Sequence, residues 1–223
     1  MLTNLYLNTD DIQDLNGIRH AKNLTKLHLS HCRKVTSGSF VLAIAECPHL
    51  QECSILYCDL LQGAAAAAVL VHCKNLTEFT VSEPSSLDNV FSQVNQPLKL
   101  QKFMWHYPSA HITSLTVRAM ANLMPQLEHL EWNASRWCTY TTSDTHILIQ
   151  KCVKLRALVW SGKKLFTDPL LHHIGQSLTL LRYINLSACT EIGDAGVIAL
   201  AQGCTLLEYL NLSFLSTLTD VAI

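Results

Sequence analysis

One apolar spacing, L-x-x-L-x-L or a close variant, begins at Leu2, Leu24, Leu50, Leu76, Leu100, Leu127, Leu155, Leu181 and Leu207. Successive starts lie 22, 26, 26, 24, 27, 28, 26 and 26 residues apart, as the differences between those positions show. A period in the twenties with this pattern marks units that each supply one short strand and one helix. A single unit cannot bury both its strand face and its helix face. Neighbours stacked on one another bury them together, so the chain must grow as a rod and not as a ball.

The best copy shows how a unit is built. In Leu181, Ile184 and Leu186 the last two apolar residues alternate as a strand requires and point into the core, which leaves Tyr183, Asn185 and Ser187 facing outward. A turn through Ser187, Ala188 and Cys189 leads to Asp194, which the pattern places as the N-cap of a helix over 195–202. Val197, Leu200 and Ala201 form its apolar face, and Gly203 is its stop. The fold class that follows is α/β: a leucine-rich repeat solenoid, or horseshoe, with a parallel β-sheet on the concave face and α-helices on the convex face. About eight to nine repeats fill residues 1–223 as a single domain.

Composition fits this body: 49% of residues are hydrophobic and 15% charged, enough to fill inner columns throughout. The most apolar run, 63–71 with its five alanines, is too short for a membrane span and falls where the third repeat needs a tightly packed helix. The first residues carry neither a basic region nor a cleavage pattern, so a cytoplasmic or nuclear location is expected. Nine cysteines recur in register. Cys47, Cys73, Cys152 and Cys204 each precede the next repeat's first leucine by three residues, and Cys32, Cys58 and Cys189 each follow it by eight. A residue type that returns to one rung position is filling a small buried slot, and no C-x-x-C pair occurs, so packed thiols in a reducing compartment are expected over a metal site.

The stretch Leu181-Arg182-Tyr183-Ile184-Asn185-Leu186-Ser187-Ala188-Cys189-Thr190-Glu191-Ile192-Gly193-Asp194-Ala195-Gly196-Val197, followed by Ala201-Gln202-Gly203-Cys204, resembles the cysteine-containing leucine-rich repeat of the F-box/LRR proteins in the RNI-like superfamily. Asn23 to Cys32, with Ala45-Glu46-Cys47-Pro48, is similar. The middle repeats are degenerate, with Pro84 and Pro108 in the slot that Cys32, Cys58 and Cys189 hold elsewhere. The resemblance implies the substrate-recognition repeats of an SCF-type E3 ubiquitin ligase receptor, in which an F-box binds a Skp-type adaptor and, through it, a cullin. An F-box is a helical segment ahead of the repeats, and this sequence opens on a repeat strand. The chain is therefore expected to be a fragment of a longer repeat protein, with adaptor and cullin as partners only if an F-box lies outside it. The alternative is an F-box-free regulatory scaffold of the same repeat type that binds a cell-cycle or signalling protein.

Catalysis finds no support: there is no G-x-S-x-G elbow, P-loop, G-x-G-x-x-G or H-E-x-x-H, and no cofactor is implied. Sixteen Lys and Arg against 17 Asp and Glu leave a net charge of −1 without a basic run, which disfavours nucleic acid. His172 and His173 fall on the convex side as solvated surface, while His28 and His31 flank a strand end where a partner could meet them. The expected recognition surface is the set of side chains between the core leucines, among them His106, His129, Glu131, Tyr183 and Tyr209. Tyr183 and Tyr209 hold equivalent positions on adjacent rungs and are placed to stack. Two longer repeats add loops along one rim, which makes Tyr107, Arg136, Trp137 and Tyr140 the expected hot spot for a protein target. Trp105, Trp132 and Trp160 share one core position on three successive rungs and read as an internal aromatic ladder.

Overall fold

The computed structural model describes residues 2–61, 63–82, 87–106, 112–132, 139–160 and 165–222. Its nine strands are β1 (Asn4–Asn8), β2 (Lys26–Ser30), β3 (Glu52–Leu56), β4 (Glu78–Ser82), β5 (Lys102–His106), β6 (His129–Trp132), β7 (Ala157–Trp160), β8 (Tyr183–Asn185) and β9 (Tyr209–Asn211). They form one sheet in chain order, and every neighbouring pair is parallel. Between them run α1 (Ser37–Ala45), α2 (Gly63–His72), α3 (Leu87–Phe91), α4 (Ser114–Leu123), α5 (Thr142–Lys151), α6 (Asp168–Ser177) and α7 (Asp194–Gly203). Short 3-10 turns, Ile18–His20 and Asp220–Ala222, take the helix position in the first and last units.

The register matches the repeat arithmetic: Leu27 pairs with Cys53, Phe79 with Phe103, and Ile184 with Leu210. All the inward strand residues from β2 to β8 are buried, and they pack against the buried faces of the helices. In the alanine block, Ala65 to Ala68 are all buried, so small side chains let α2 lie close to its neighbours. Glycine does the same between α6 and α7, where a Cβ on Gly203 would run into the main chain of Gly175.

The eight described cysteines are all buried. Each thiol in the column before the first leucine donates to a main-chain carbonyl: Cys47 to Ala43 at 3.4 Å, Cys152 to Met124 at 3.5 Å and Cys204 to Leu178 at 3.5 Å. Met124 and Leu178 are the column's occupants one rung earlier, so these last two contacts run from rung to rung. Burial pushes the thiol of Cys73 up to about 12, Cys152 to about 12 and Cys58 and Cys204 to about 11. A protonated, inaccessible thiol is a poor nucleophile. Titration of the native protein with an aromatic disulfide at pH 8 should therefore leave these eight thiols silent until denaturant is added; two or more fast-reacting groups would contradict this packing.

On the helix side a second set of contacts links the rungs. Asp194 does not cap its own helix: Gly193 is the N-cap, and the Asp194 carboxylate accepts the main-chain N–H of Thr219 on the next rung at 2.9 Å. Asp168 does the same for the N–H of Gly193 at 2.7 Å, and Asp88 accepts from the hydroxyl of Thr113 at 2.8 Å. Local capping is the usual use of an aspartate at a helix start and is what the sequence pattern predicts for Asp194; stacking offers it a partner one turn of the solenoid away.

Asp144 is the most enclosed of these acids. It closes a capping box with Thr141, accepts from Ser114 Oγ at 2.6 Å and pairs with Arg118 Nε at 2.6 Å, with its own side chain fully buried. Burial alone would raise its pKa, yet the hydrogen bonds from Ser114, Thr141 and Arg118 outweigh this and hold it well below its ordinary 3.8. Since the folded value lies below the unfolded one, the stabilisation is complete above about pH 4–5 and is lost as the pH falls through the folded value. Asp144→Ala should cost about 3 kcal/mol in urea unfolding at pH 7. Arg118→Ala should cost clearly less, because Ser114 and Thr141 still hold the carboxylate.

Candidate recognition surface

Strand alternation puts three columns of side chains on the concave face. Along the middle column run Tyr6, His28, Ser54, Thr80, Met104, Glu131, Val159, Asn185 and Asn211, as the strand register dictates. The first column runs from Asn4, Lys26, Glu52, Glu78, Lys102 and His129 through Ala157 to Tyr183 and Tyr209. Two expected surface positions are in fact covered. Ser54 and Ser82 are buried, and Ser82 accepts the main-chain N–H of Tyr57 at 2.7 Å.

Charge on this face is matched internally. Lys26 lies 2.7 Å from Glu52, and His28 Nε2 lies 3.0 Å from the same carboxylate but at an angle that makes no hydrogen bond. Lys102 is 3.7 Å from Glu78. His106 and His129, on adjacent strands, approach the two oxygens of Glu131 at 3.6 Å and 3.8 Å. The structure thus draws His106, His129 and Glu131 into one half-buried cluster. Two rungs further on, Tyr183 and Tyr209 stack with ring centres 4.2 Å apart and planes 2° from parallel. Burial first, and a hydrogen bond with Tyr209 second, push the Tyr183 phenol above its ordinary 10.

The expected rim hot spot fares differently. Tyr107, Arg136 and Trp137 lie outside the described residues. Tyr140 is not on the rim at all: it is 4% exposed and packs between Trp132, at 5.6 Å, and Trp160, at 6.0 Å. Its hydroxyl accepts the indole N–H of Trp160 at 3.1 Å. Trp105, Trp132 and Trp160 do form a fully buried ladder, with centroid steps of 5.9 Å and 4.7 Å. Three stacked indoles bring three N–H donors into an apolar core, and those of Trp105 and Trp132 find no acceptor among the described residues. Tyr140 is drawn inward because it covers ring surface and satisfies the third donor. A signal for this was present in the sequence, since Tyr140 directly precedes a helix-capping Thr141 as Val35 precedes Thr36, Ile112 Thr113 and Phe166 Thr167.

His173 also departs from expectation. It is half-buried, with its ring 4.8 Å from that of His146 on α5, and burial, reinforced by His146, holds its pKa below 6.5. His172 stays exposed and pairs with Gln176 at 2.8 Å. Adjacent residues on a helix diverge by about 100°, so one faced the neighbouring helix while the other faced solvent. Among the described residues no three His, Cys, Asp or Glu side chains are grouped to hold a metal ion, and no helix is long and apolar enough to cross a membrane.

Sequence reasoning passed over Tyr6 and Tyr57. Tyr6 is 62% exposed and stacks on His28, with ring centres 4.5 Å apart; Tyr57 stacks on His31 at 4.9 Å. The offset of Tyr6 from Leu2 equals that of His28 from Leu24, and counting along that column reveals it.

The model of the leucine-rich repeat family matches residues 20–38 and 177–201, which cover β2 with the start of α1, and β8 with most of α7. The fold is that of a leucine-rich repeat solenoid. Among solved structures, a chain of the crystal structure of the Rad7 and Elc1 complex in yeast is similar to it, with a TM-score of 0.49 and 15% identity. The alignment covers 92% of this chain and 68% of that one. No curated protein matches the sequence.

Leucine-rich repeats of this kind typically serve as non-catalytic binding surfaces, and the placement of Tyr140 separates binding from stability. Tyr140→Ala should lower unfolding free energy by about 3 kcal/mol or more, the cost of removing a large buried ring. Tyr183→Ala, on the exposed face, should cost less than about 1 kcal/mol. Equal losses in the two variants would contradict the assignment of one ring to the core and the other to the surface.

Proposed function

We propose that this leucine-rich repeat protein is a protein-recognition module whose concave sheet holds a protein target, and that it serves as the target-binding repeats of an F-box/LRR-type ubiquitin-ligase receptor. The observation that carries the first part is the placement of stacked tyrosines and a half-buried histidine–glutamate cluster on the concave face of one sheet. Aromatic side chains fixed on a scaffold offer large contact area at small entropic cost. What supports the second part is the cysteine-type rung over 181–204, with Cys189 and Cys204 in their repeat positions. Cysteines that return in register as packed core residues suit a cytoplasmic or nuclear setting.

Affinity purification from cells with quantitative mass spectrometry tests both parts, comparing the native protein with the variant Glu131→Ala, Tyr183→Ala, Tyr209→Ala. Loss of specific partners from the variant, with its melting temperature held within a few degrees, is the expected result. Co-purification of a Skp-type adaptor and a cullin with both forms supports the receptor role. Their absence, with partners still lost, points to the F-box-free scaffold. Partners retained in full by the variant would remove the concave sheet from consideration.

A further inference from the structure

Charges without an ion pair are sorted by rim. Lys26, Arg33, Lys102, Arg118, Arg156 and Arg182 each pair with a carboxylate. Of the other described cations, Arg19, Lys22, Lys74, Lys99, Lys151 and Lys154 all fall at the end of a helix or 3-10 turn, or between it and the next strand. That places them on the rim where strands enter the sheet, and all six are exposed. Lys34 alone lies on the opposite rim, where strands leave. Carboxylates run the other way. Asp11, Asp14, Glu191 and Asp220 lie on the exit rim, while Glu128 and Glu208 on the entry rim are paired with arginines and leave only Glu46 there without an ion pair among the described residues. Helix dipoles favour this sorting, with cations at helix ends and anions at helix starts. They do not account for a hollow that the entry rim holds.

The hollow has a volume of about 260 Å³, and Lys74, Leu76, Gln96, Pro97, Leu98 and Lys99 are among the residues that line it. Small-molecule pockets usually measure about 300–1,000 Å³, so this one is sized for a side chain. A short helix creates it. α3 spans five residues where α2 and α4 each span ten, and the chain reaches β5 through an irregular stretch that contains Pro97. The N–H of Leu98 donates to the carbonyl of Leu123 at 2.7 Å, which fixes that stretch to the next rung.

No carboxylate lines the hollow among the described residues. Lys99 Nζ lies 3.3 Å from Asn75 Oδ1, a neutral acceptor, and Glu78 is already taken by Lys102. Two ammonium groups thus border one small site with no counter-ion, and an anion seated between them relieves their repulsion. Leu76, Pro97 and Leu98 offer apolar cover for the methylene groups of an acidic side chain. The lining has lysine and no arginine, so it supplies point charges suited to single carboxylates and lacks the planar fork that favours phosphate. Two rungs further on the pattern returns: Lys154 donates to the amide oxygen of Gln126 at 2.5 Å, and Lys151 stands in the last turn of α5. Duplex nucleic acid carries about one charge per 1.7 Å, denser than rungs about 4.8 Å apart can match.

We propose that the entry rim binds an acidic segment of a partner protein, with one aspartate or glutamate carboxylate seated between Lys74 and Lys99 and others meeting Lys151 and Lys154. This edge is separate from the concave sheet and adds a second contact surface to it.

Fluorescence anisotropy on the whole chain tests this with a labelled glutamate-rich peptide and a twin in which glutamine replaces every glutamate. The glutamate peptide should bind saturably, weaken as salt is raised, and exceed the twin by about tenfold or more. Lys74→Glu with Lys99→Glu should cost a similar factor. Arg33→Glu with Lys34→Glu changes the net charge equally on the exit rim and should leave affinity within about twofold. All four side chains are exposed, so melting temperatures should barely move. Absence of saturable binding, equal binding of the twin, or equal losses in the two double variants would overturn the proposal. So would tighter binding of a single-stranded oligonucleotide that depends on Lys74 and Lys99, which assigns the rim to nucleic acid. The variant Glu131→Ala, Tyr183→Ala, Tyr209→Ala should keep the affinity for the glutamate peptide; a loss there places the peptide on the concave sheet and removes the rim site, whatever becomes of the recognition reading.

Discussion

Everything in this solenoid hangs on one main-chain contact repeated at each rung. The residue just before each strand donates its N–H to the carbonyl of its counterpart one rung back: Thr25 to Thr3, Gln51 to Thr25, Thr77 to Gln51, Gln101 to Thr77, Glu128 to Gln101, Arg156 to Glu128, Arg182 to Arg156 and Glu208 to Arg182. All eight fall between 2.7 Å and 2.8 Å, whether the intervening unit has 22 residues or 28. The following residue donates to the same carbonyl from 2.9 Å to 3.1 Å. Because each contact starts the next strand in register, differences in unit length are expelled to the loops and helices, and the leucine columns stay aligned. A slip of one residue would turn every inward side chain outward.

Once the sheet is fixed, each column becomes a packing problem along the rod axis. Cysteine suits the tight column before the first leucine because its thiol reaches a nearby carbonyl and leaves no polar atom unmatched, as in Cys152 with Met124 and Cys204 with Leu178. The rungs from β5 to β7 take the opposite course and fill one column with tryptophan. That widening accounts for the inward turn of Tyr140. Carboxylates at the helix starts complement the helix dipoles and at the same time bind neighbouring rungs, so a single residue such as Asp168 stabilises two units.

The concave face is free of these demands, which is why it differs from rung to rung. Charge near β2 to β5 is paired along the first column, a histidine–glutamate cluster follows at β5 and β6, and stacked tyrosines end the row. The two ends of the sheet therefore present different chemistry. Tyrosine–histidine stacks stand near β1 to β3, beside the Lys26–Glu52 pair, while phenols and asparagines dominate near β8 and β9.

Much of this was determined by sequence alone. The spacing of Leu24, Leu27 and Leu29, returned in Leu181, Ile184 and Leu186, specifies a parallel sheet in chain order because only stacking buries both faces of such a unit. The cysteine register specifies buried thiols, and equal offsets specify the stacking of Tyr183 on Tyr209. Local pattern could not assign contacts that run between rungs. Asp194 serves the next repeat, His173 meets His146, and Tyr140 completes an indole ladder; each partner lies more than 19 residues away in sequence. Periodicity says which face a side chain occupies. Only the tertiary structure decides which neighbour across the rung satisfies its hydrogen bonds and covers its surface, because that choice depends on the shape and polarity of groups brought together by stacking.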